Sequence, residues 1–341
     1  MNLVLDSFGL FLGRRRGRFV LRGREVEREI HAEDVEEIHL LNPGVGLSAA
    51  AVRLALRSRV LIVFGRRGGW PLGFITPSHL TGTVRARREQ FHAYLDRRGV
   101  ELVKAFASAK MMNQASLLRL VAKNRRQRDP KLSQDLFNIA DEIDSLFLKM
   151  QLVDGERLEE VRVEVMNKEA EAARHYWRAV GMVIPGEFGF QGRVTRGAKD
   201  PFNMMLNYGY KAILFVEAWK SLYYAGLDPY AGFLHTDRSG RPSLALDLME
   251  EFRQDVVDRP LLAVVGRGML KADEALEAGE GRLSRKAVML LTGAIYERLE
   301  KPVLIRNGRP KLKDAILQQA RELVKYLLGE ISTYKPYELR W

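Results

Sequence analysis

A carboxylate in the middle of an apolar helix face is the first feature of this chain that points to chemistry. At about 100° per residue, Val165, Met166, Ala172, Ala173, Tyr176 and Val180 share one side of a helix, and Glu169 lies at its centre. Lys168, Glu171, His175 and Arg178 fall on the opposite side. An acid so placed must be paired, neutralised or bound to a cation. A salt bridge from a neighbouring helix answers that need as well as a metal does, and this helix alone does not choose. A second group lies in GFLHTDRSGRPSLALDLMEEFRQD (232–255), with His235 in a loop and Asp247, Glu250 and Glu251 on the following helix. Leu244, Leu248 and Phe252 mark that helix's buried stripe, while Asp247 and Glu250, three apart, project together. Imidazole plus carboxylates is a donor set for hard divalent ions, Mg²⁺ or Mn²⁺. A single His ahead of a helix is more often structural than a ligand, and spacing does not separate Glu250 from Glu251.

Two kinds of element have to position these groups. Residues 1 to about 80 read as short strands (NLVL, GLFLG, RFVLRG, REVEREI, EEIHLL, VLIVFG, WPLGFI) with one helix, Ser48 to Arg57, capped by Ser48. From about residue 81 the period changes to three or four, with helices expected through 82–183 and again near 202–225, 245–256, 258–270, 284–298 and 310–329. The expected fold is α+β: a small N-terminal β-rich domain, 1–80, followed by a larger all-α domain, 81–341. Pro43-Gly44-Val45-Gly46-Leu47-Ser48-Ala49 imitates a dinucleotide fingerprint, but the acid needed about 20 residues later is missing. The preceding segments read as β-hairpins, so these glycines are assigned to turn geometry.

The chain has 341 residues, 55 Lys+Arg, 43 Asp+Glu and no Cys, for a net charge of +12. The missing Cys excludes disulfides, thiolate–zinc sites and cysteine nucleophiles. No apolar run reaches the roughly 18–20 residues of a membrane span, and the apolar N-terminus precedes its arginines, the wrong order for a signal peptide. A cytoplasmic protein is expected. Residues 51–128 hold seventeen Lys and Arg against Glu89, Asp96 and Glu101, a net +14 that exceeds the whole chain's charge. Such an excess repels itself unless an anion neutralises it, so a nucleic-acid surface is expected there. Its candidates are Arg66, Arg67, Arg85, Arg87, Arg88, Arg125 and Arg126, with Arg97 and Arg98 in the same window, and Arg174 beside Glu169 as a further phosphate contact.

Four ordered blocks, NKEAEAARHYW (167–177), DPFNMMLNYGY (200–210), GFLH (232–235) and SLALDLMEEFR (243–253), resemble the CRISPR-associated integrase–nuclease family of spacer acquisition. KMMNQASLL (110–118) is similar to that family's first long helix, and the likeness covers essentially the whole chain. Ala170 stands where the family usually has Gly. The resemblance implies Glu169, His235 and Glu250 as ligands of Mg²⁺ or Mn²⁺, with Asp247 supporting the site or sharing the ion. It implies phosphoryl transfer on DNA: hydrolysis of double-stranded or branched substrates, and insertion of spacer precursors into a CRISPR repeat by a 3′-hydroxyl. It further implies a homodimer, formed mainly through the β-rich domains, and a heterohexamer with a small companion adaptation protein. The alternatives are a structure-selective DNA-repair nuclease using the same chemistry and a non-catalytic nucleic-acid scaffold. His31, His39, His79, His92 and His175 are assigned no chemistry. Tyr208 and Tyr210 read mainly as packing, Asn203 as a helix-start hydrogen bonder near the site, and the tail STYKPYELRW as a mobile end or a DNA or partner contact.

Overall fold

The structure, a computed structural model, describes residues 1–341 except Glu25, Arg67, Gly68, His79, Thr81, Ala278, Asn307 and Trp341. Of the residues singled out above, Arg67 and His79 therefore lie outside the described residues. The chain divides into two compact units, Met1–Thr81 and Gly82–Trp341.

In the first unit the strands are β1 (Asn2–Leu5), β2 (Phe11–Arg15), β3 (Arg18–Arg22), β4 (Glu27–His31), β5 (Glu37–Leu40), β6 (Gly46–Leu47), β7 (Leu61–Phe64) and β8 (Gly73–Ile75). They form two four-stranded sheets, ordered β1-β5-β7-β8 and β4-β3-β2-β6. Helix α1 (Ala49–Arg57) starts at Ser48, whose side chain accepts the Ala51 N–H. One core holds Leu3, Leu12, Phe19, Ile38, Leu54 and Ile62, drawn from both sheets and α1. Only part of the hairpin expectation holds. β2, β3 and β4 are an antiparallel meander, but β5 and β7 pair in parallel, Glu37 opposite Leu61, with α1 between them. The stretch around Gly44 and Gly46 thus belongs to a βαβ crossover. The reason is burial: β5 is buried along its length and β7 nearly so, as parallel strands covered on both faces require.

In the second unit α2 (Thr83–Ala93) precedes three long helices, α3 (Arg97–Arg125), α4 (Pro130–Gln151) and α5 (Leu158–Val183), which pack against one another. Asp96 and Asp129 cap α3 and α4. The remaining helices are α6 (Pro201–Tyr208), α7 (Phe215–Ala225), α8 (Ser243–Glu250), α9 (Arg259–Gly266), α10 (Arg285–Leu299) and α11 (Leu312–Leu327). The helix expected over 202–225 is interrupted by a π-helical turn, Gly209–Leu214, and a second such turn, Gln254–Asp258, spans the boundary expected between the helices 245–256 and 258–270. These turns pack on each other. A Cβ on Gly209 would lie 2.6 Å from Val257, so only glycine permits that approach. No helix among the described residues is long and apolar enough to cross a membrane.

The tail is docked, in contrast to the mobile end expected. Tyr334, Tyr337 and Leu339 are buried. The buried carboxylate of Glu251 accepts the Tyr334 hydroxyl and the Tyr337 N–H, and Asn113 of α3 brackets the tail through the Tyr337 carbonyl and the Leu339 N–H. Burial pushes the Glu251 carboxyl up to about 7 despite these donors.

Candidate metal and phosphoryl-transfer site

Glu169 and Glu250 come together although 81 positions separate them in the sequence. The Lys110 ammonium on α3 lies 2.6 Å from Glu169 Oε1 and 3.0 Å from Glu250 Oε2. Glu250 also meets Arg253 Nη2 at 3.0 Å and His235 Nε2 at 3.7 Å through Oε1. Burial works against a charged Glu250, but Arg253, Lys110 and His235 overcome it and hold the carboxyl down at about 2. Burial likewise disfavours the Lys110 charge, and the two glutamates outweigh it, so its pKa is raised.

His235 is held from behind. Asp247, fully buried, accepts the backbone N–H groups of Phe233 (2.7 Å), Leu234 (3.0 Å) and His235 (2.9 Å). Its Oδ1 also lies 2.6 Å from His235 Nδ1. With both oxygens engaged, Asp247 orients the imidazole and leaves Nε2 to face Glu250, so of the two roles the resemblance allows it the geometry provides support. The loop can wrap this closely because residue 232 is glycine: a Cβ there would come within 2.6 Å of Ser243 and 2.9 Å of Asp247 Oδ2. From the other side Arg162, two turns before Glu169 on α5, donates to the Phe233 carbonyl at 3.0 Å and lies over the Tyr94 ring.

A second layer supports the first. Arg253 sits 4.6 Å above the Tyr210 ring, and the Tyr210 and Tyr176 hydroxyls both donate to Asp258. Burial raises Asp258 to about 6. Arg193 lies over Tyr210 and Trp177 and donates to Asn203 Oδ1 at 3.0 Å and Asn207 Oδ1 at 2.7 Å. Asn203 therefore pins the preceding loop, and Tyr210 is a platform for cations, a larger part than packing alone. Tyr208 is buried, its hydroxyl meeting Thr292 Oγ1 at 3.4 Å.

Sequence reasoning missed Lys110, Arg162, Arg193, Arg253 and Asp258. The spacing of Glu250 and Arg253 is the one local signal among them, since residues three apart on a helix are neighbours; the others meet the site only through tertiary packing. Glu250 and Glu251 are separated by direction, the first facing Lys110 and His235, the second the tail.

Two carboxylates on either side of a point that already carries a cation's charge, with the imidazole facing the other oxygen of Glu250, are donor types that suit a hard divalent ion. Among the described residues no three His, Asp or Glu side chains are arranged in advance to hold one.

The basic window is less uniform than its net charge suggests. Arg97 pairs with Asp154 and Glu156, Arg98 with Asp96 and Glu89, and Arg119 with Asp141 and Asp144. Arg66, Arg85, Arg88, Arg126 and Arg174 are exposed; Arg87 is half-buried, as is Arg125, which donates to the Val183 carbonyl. A helix of 29 residues is about 43 Å long, so Arg125 and Arg126 at its far end and the α2 arginines before its start belong to different stretches of surface. Among the histidines assigned no chemistry, His39 pairs with buried Glu37 and His175 with Glu142, both structural contacts.

Comparison with known proteins agrees in sequence and in fold. A family profile described as "CRISPR associated protein Cas1" matches residues 3–296. A CRISPR-associated endonuclease Cas1 from Archaeoglobus fulgidus is 39% identical, with all of both chains covered. One from Hyperthermus butylicus is 35% identical, over 98% of this chain and 97% of its own. Among solved structures, a casposase bound to integration product matches with a TM-score of 0.80 at 23% identity, covering 98% of this chain and 92% of that one. A Cas1 protein from Thermotoga maritima matches with a TM-score of 0.79 at 22% identity, covering 99% and 100%. A Cas6-RT-Cas1–Cas2 complex matches at 0.74 and 20% identity, over 99% of this chain and 36% of that one.

Proposed function

The chain belongs to the Cas1 family of CRISPR-associated proteins, and on that premise we propose that it is a divalent-metal-dependent DNA endonuclease and integrase that inserts spacer precursors into a CRISPR repeat. The observation that supports this reading is that Glu169 and Glu250 share the Lys110 ammonium while His235 Nε2 faces the other oxygen of Glu250. The names of the curated relatives support the nuclease, and the fold shared with a casposase bound to integration product supports the strand-transfer half.

Glu169, Glu250 and His235 Nε2 would hold Mg²⁺ or Mn²⁺, which supplies Lewis-acid activation of a phosphate oxygen. The protein's own residues do the rest. Asp247 takes the Nδ1 hydrogen, so that in the neutral imidazole the Nε2 lone pair points into the site. Arg253 fixes one oxygen of Glu250 and is itself held over Tyr210. The exposed arginines Arg66, Arg85, Arg88, Arg126 and Arg174 steer and hold the phosphate backbone. We assign dimer formation to the β-rich unit and a small companion protein as a further partner, the latter supported by the fold shared with a Cas1–Cas2 complex.

The test is to incubate the purified protein, companion protein, a 5′-labelled duplex fragment with free 3′-hydroxyls and a supercoiled repeat plasmid with Mg²⁺ or Mn²⁺. Joined product is expected with wild type, and joining slower by about 10³-fold with Glu250→Gln. Joining at the wild-type rate by His235→Ala would sink the assignment of the site.

A further inference from the structure

Lys110 lies outside both acidic motifs, yet one ammonium touches both proposed ligand carboxylates, at 2.6 and 3.0 Å. We propose that Lys110 is a displaceable internal counter-ion, which competes with the divalent cation for Glu169 and Glu250 and then takes the DNA phosphate as its next anion. The inference rests on the metal-site reading above.

Glu250 is nearly inaccessible and Glu169 largely so. Two such carboxylates facing each other need a positive charge between them. A divalent ion bonds carboxylate oxygens at about 2.0–2.6 Å, and it cannot do so at oxygens on which an ammonium is seated without repelling it. Of the cations at Glu250, Arg253 is anchored by its ring platform, and His235 by Asp247. Lys110 alone has a long single-point side chain that can swing without moving the backbone. Its side chain is only 18% exposed, so on leaving the carboxylates it needs another anion close by. The phosphate brought to the same position supplies that anion.

The native full-length protein serves for the first experiment. Acetic anhydride labelling, read by mass spectrometry, is compared with and without Mn²⁺, using Lys149 as the internal reference. Mn²⁺ is expected to raise Lys110 labelling several-fold, and added duplex DNA to suppress that gain. In calorimetric Mn²⁺ titrations Lys110→Met is expected to bind about tenfold more tightly than wild type, while Lys110→Arg, which keeps the charge, gains nothing. Unchanged Lys110 labelling in protein that has taken up Mn²⁺ overturns the proposal, as does equal Mn²⁺ affinity of wild type and Lys110→Met. Should the Met variant not fold, the labelling result on native protein decides. Failure of the underlying reading looks different: wild type then takes up no Mn²⁺, or Glu250→Gln takes it up equally well.

Discussion

Asp247 grips His235 twice, accepting its backbone N–H at 2.9 Å and lying 2.6 Å from its Nδ1 through the same oxygen, Oδ1. The imidazole is therefore positioned by a residue twelve places later that is itself wholly buried. Asp247→Asn keeps the volume but puts an NH₂ group where one of these acceptors stood. Loss of such an orienting partner costs about 10–100-fold in metal affinity, to be read by Mn²⁺ calorimetry. Its melting temperature should also fall, because hydrogen bonds to a charged group contribute about 1.5–3 kcal/mol each.

Glu169→Gln and Glu250→Gln should each slow cleavage and strand transfer by about 10³-fold, the equivalent of the several kcal/mol that Lewis-acid stabilisation supplies. DNA affinity in a filter-binding assay should stay near wild type. A parallel collapse of binding and turnover would show that the acids serve the fold instead.

Duplex binding should weaken steeply with salt. Reversing Arg85, Arg88 and Arg126 to Glu, all exposed, should flatten the log–log salt slope by about 0.9 for each phosphate that is no longer neutralised. Arg125 is left out because it donates to the Val183 carbonyl, and its reversal would disturb the end of α5. Fluorescence anisotropy across a salt series gives the slope directly.

The tail should behave as part of the core. Tyr334 is buried against Phe106 and hydrogen-bonded to Glu251, so Tyr334→Ala should cost about 3–5 kcal/mol, as large aromatic-to-alanine changes in cores do. Tyr334→Phe should recover most of that loss and leave the smaller cost of the hydroxyl. Chemical denaturation of the three proteins measures both steps.

Asp258 supplies a pH signature. Burial raises it from 3.8 to about 6, against the opposing pull of Tyr210, Tyr176, Arg253 and Arg193. Because the folded state holds this proton more tightly than the unfolded chain, its contribution to stability is complete below about pH 4 and is lost as pH rises through about 6. The loss amounts to about 3 kcal/mol at about 1.36 kcal/mol per unit. Asp258→Asn removes the titration, so wild type minus variant should change by that amount between about pH 4 and 7 in denaturant melts. An unchanged difference would mean that the tyrosines already stabilise the carboxylate fully.

Periodicity along the chain determines the switch from strands to helices near residue 81, the apolar face on which Glu169 sits and the pairing of Asp247 with Glu250 on one helix side. These properties are legible because they depend on neighbours three or four residues apart, or on alternation. Short-range pattern could not reveal that β5 and β7 run parallel, since alternation and burial look the same for either direction until the crossover is packed. Nor could it reveal Lys110, one of many cations in a basic window, whose meaning comes from α3 lying against α5 and α8. Glu250 and Glu251 are alike as letters; the direction of a helix turn sends one to His235 and the other to the tail. The types of chemical group were thus written in the chain, while their partners were decided by three-dimensional packing, because charge pairing acts across space and a helix carries no record of what will face it.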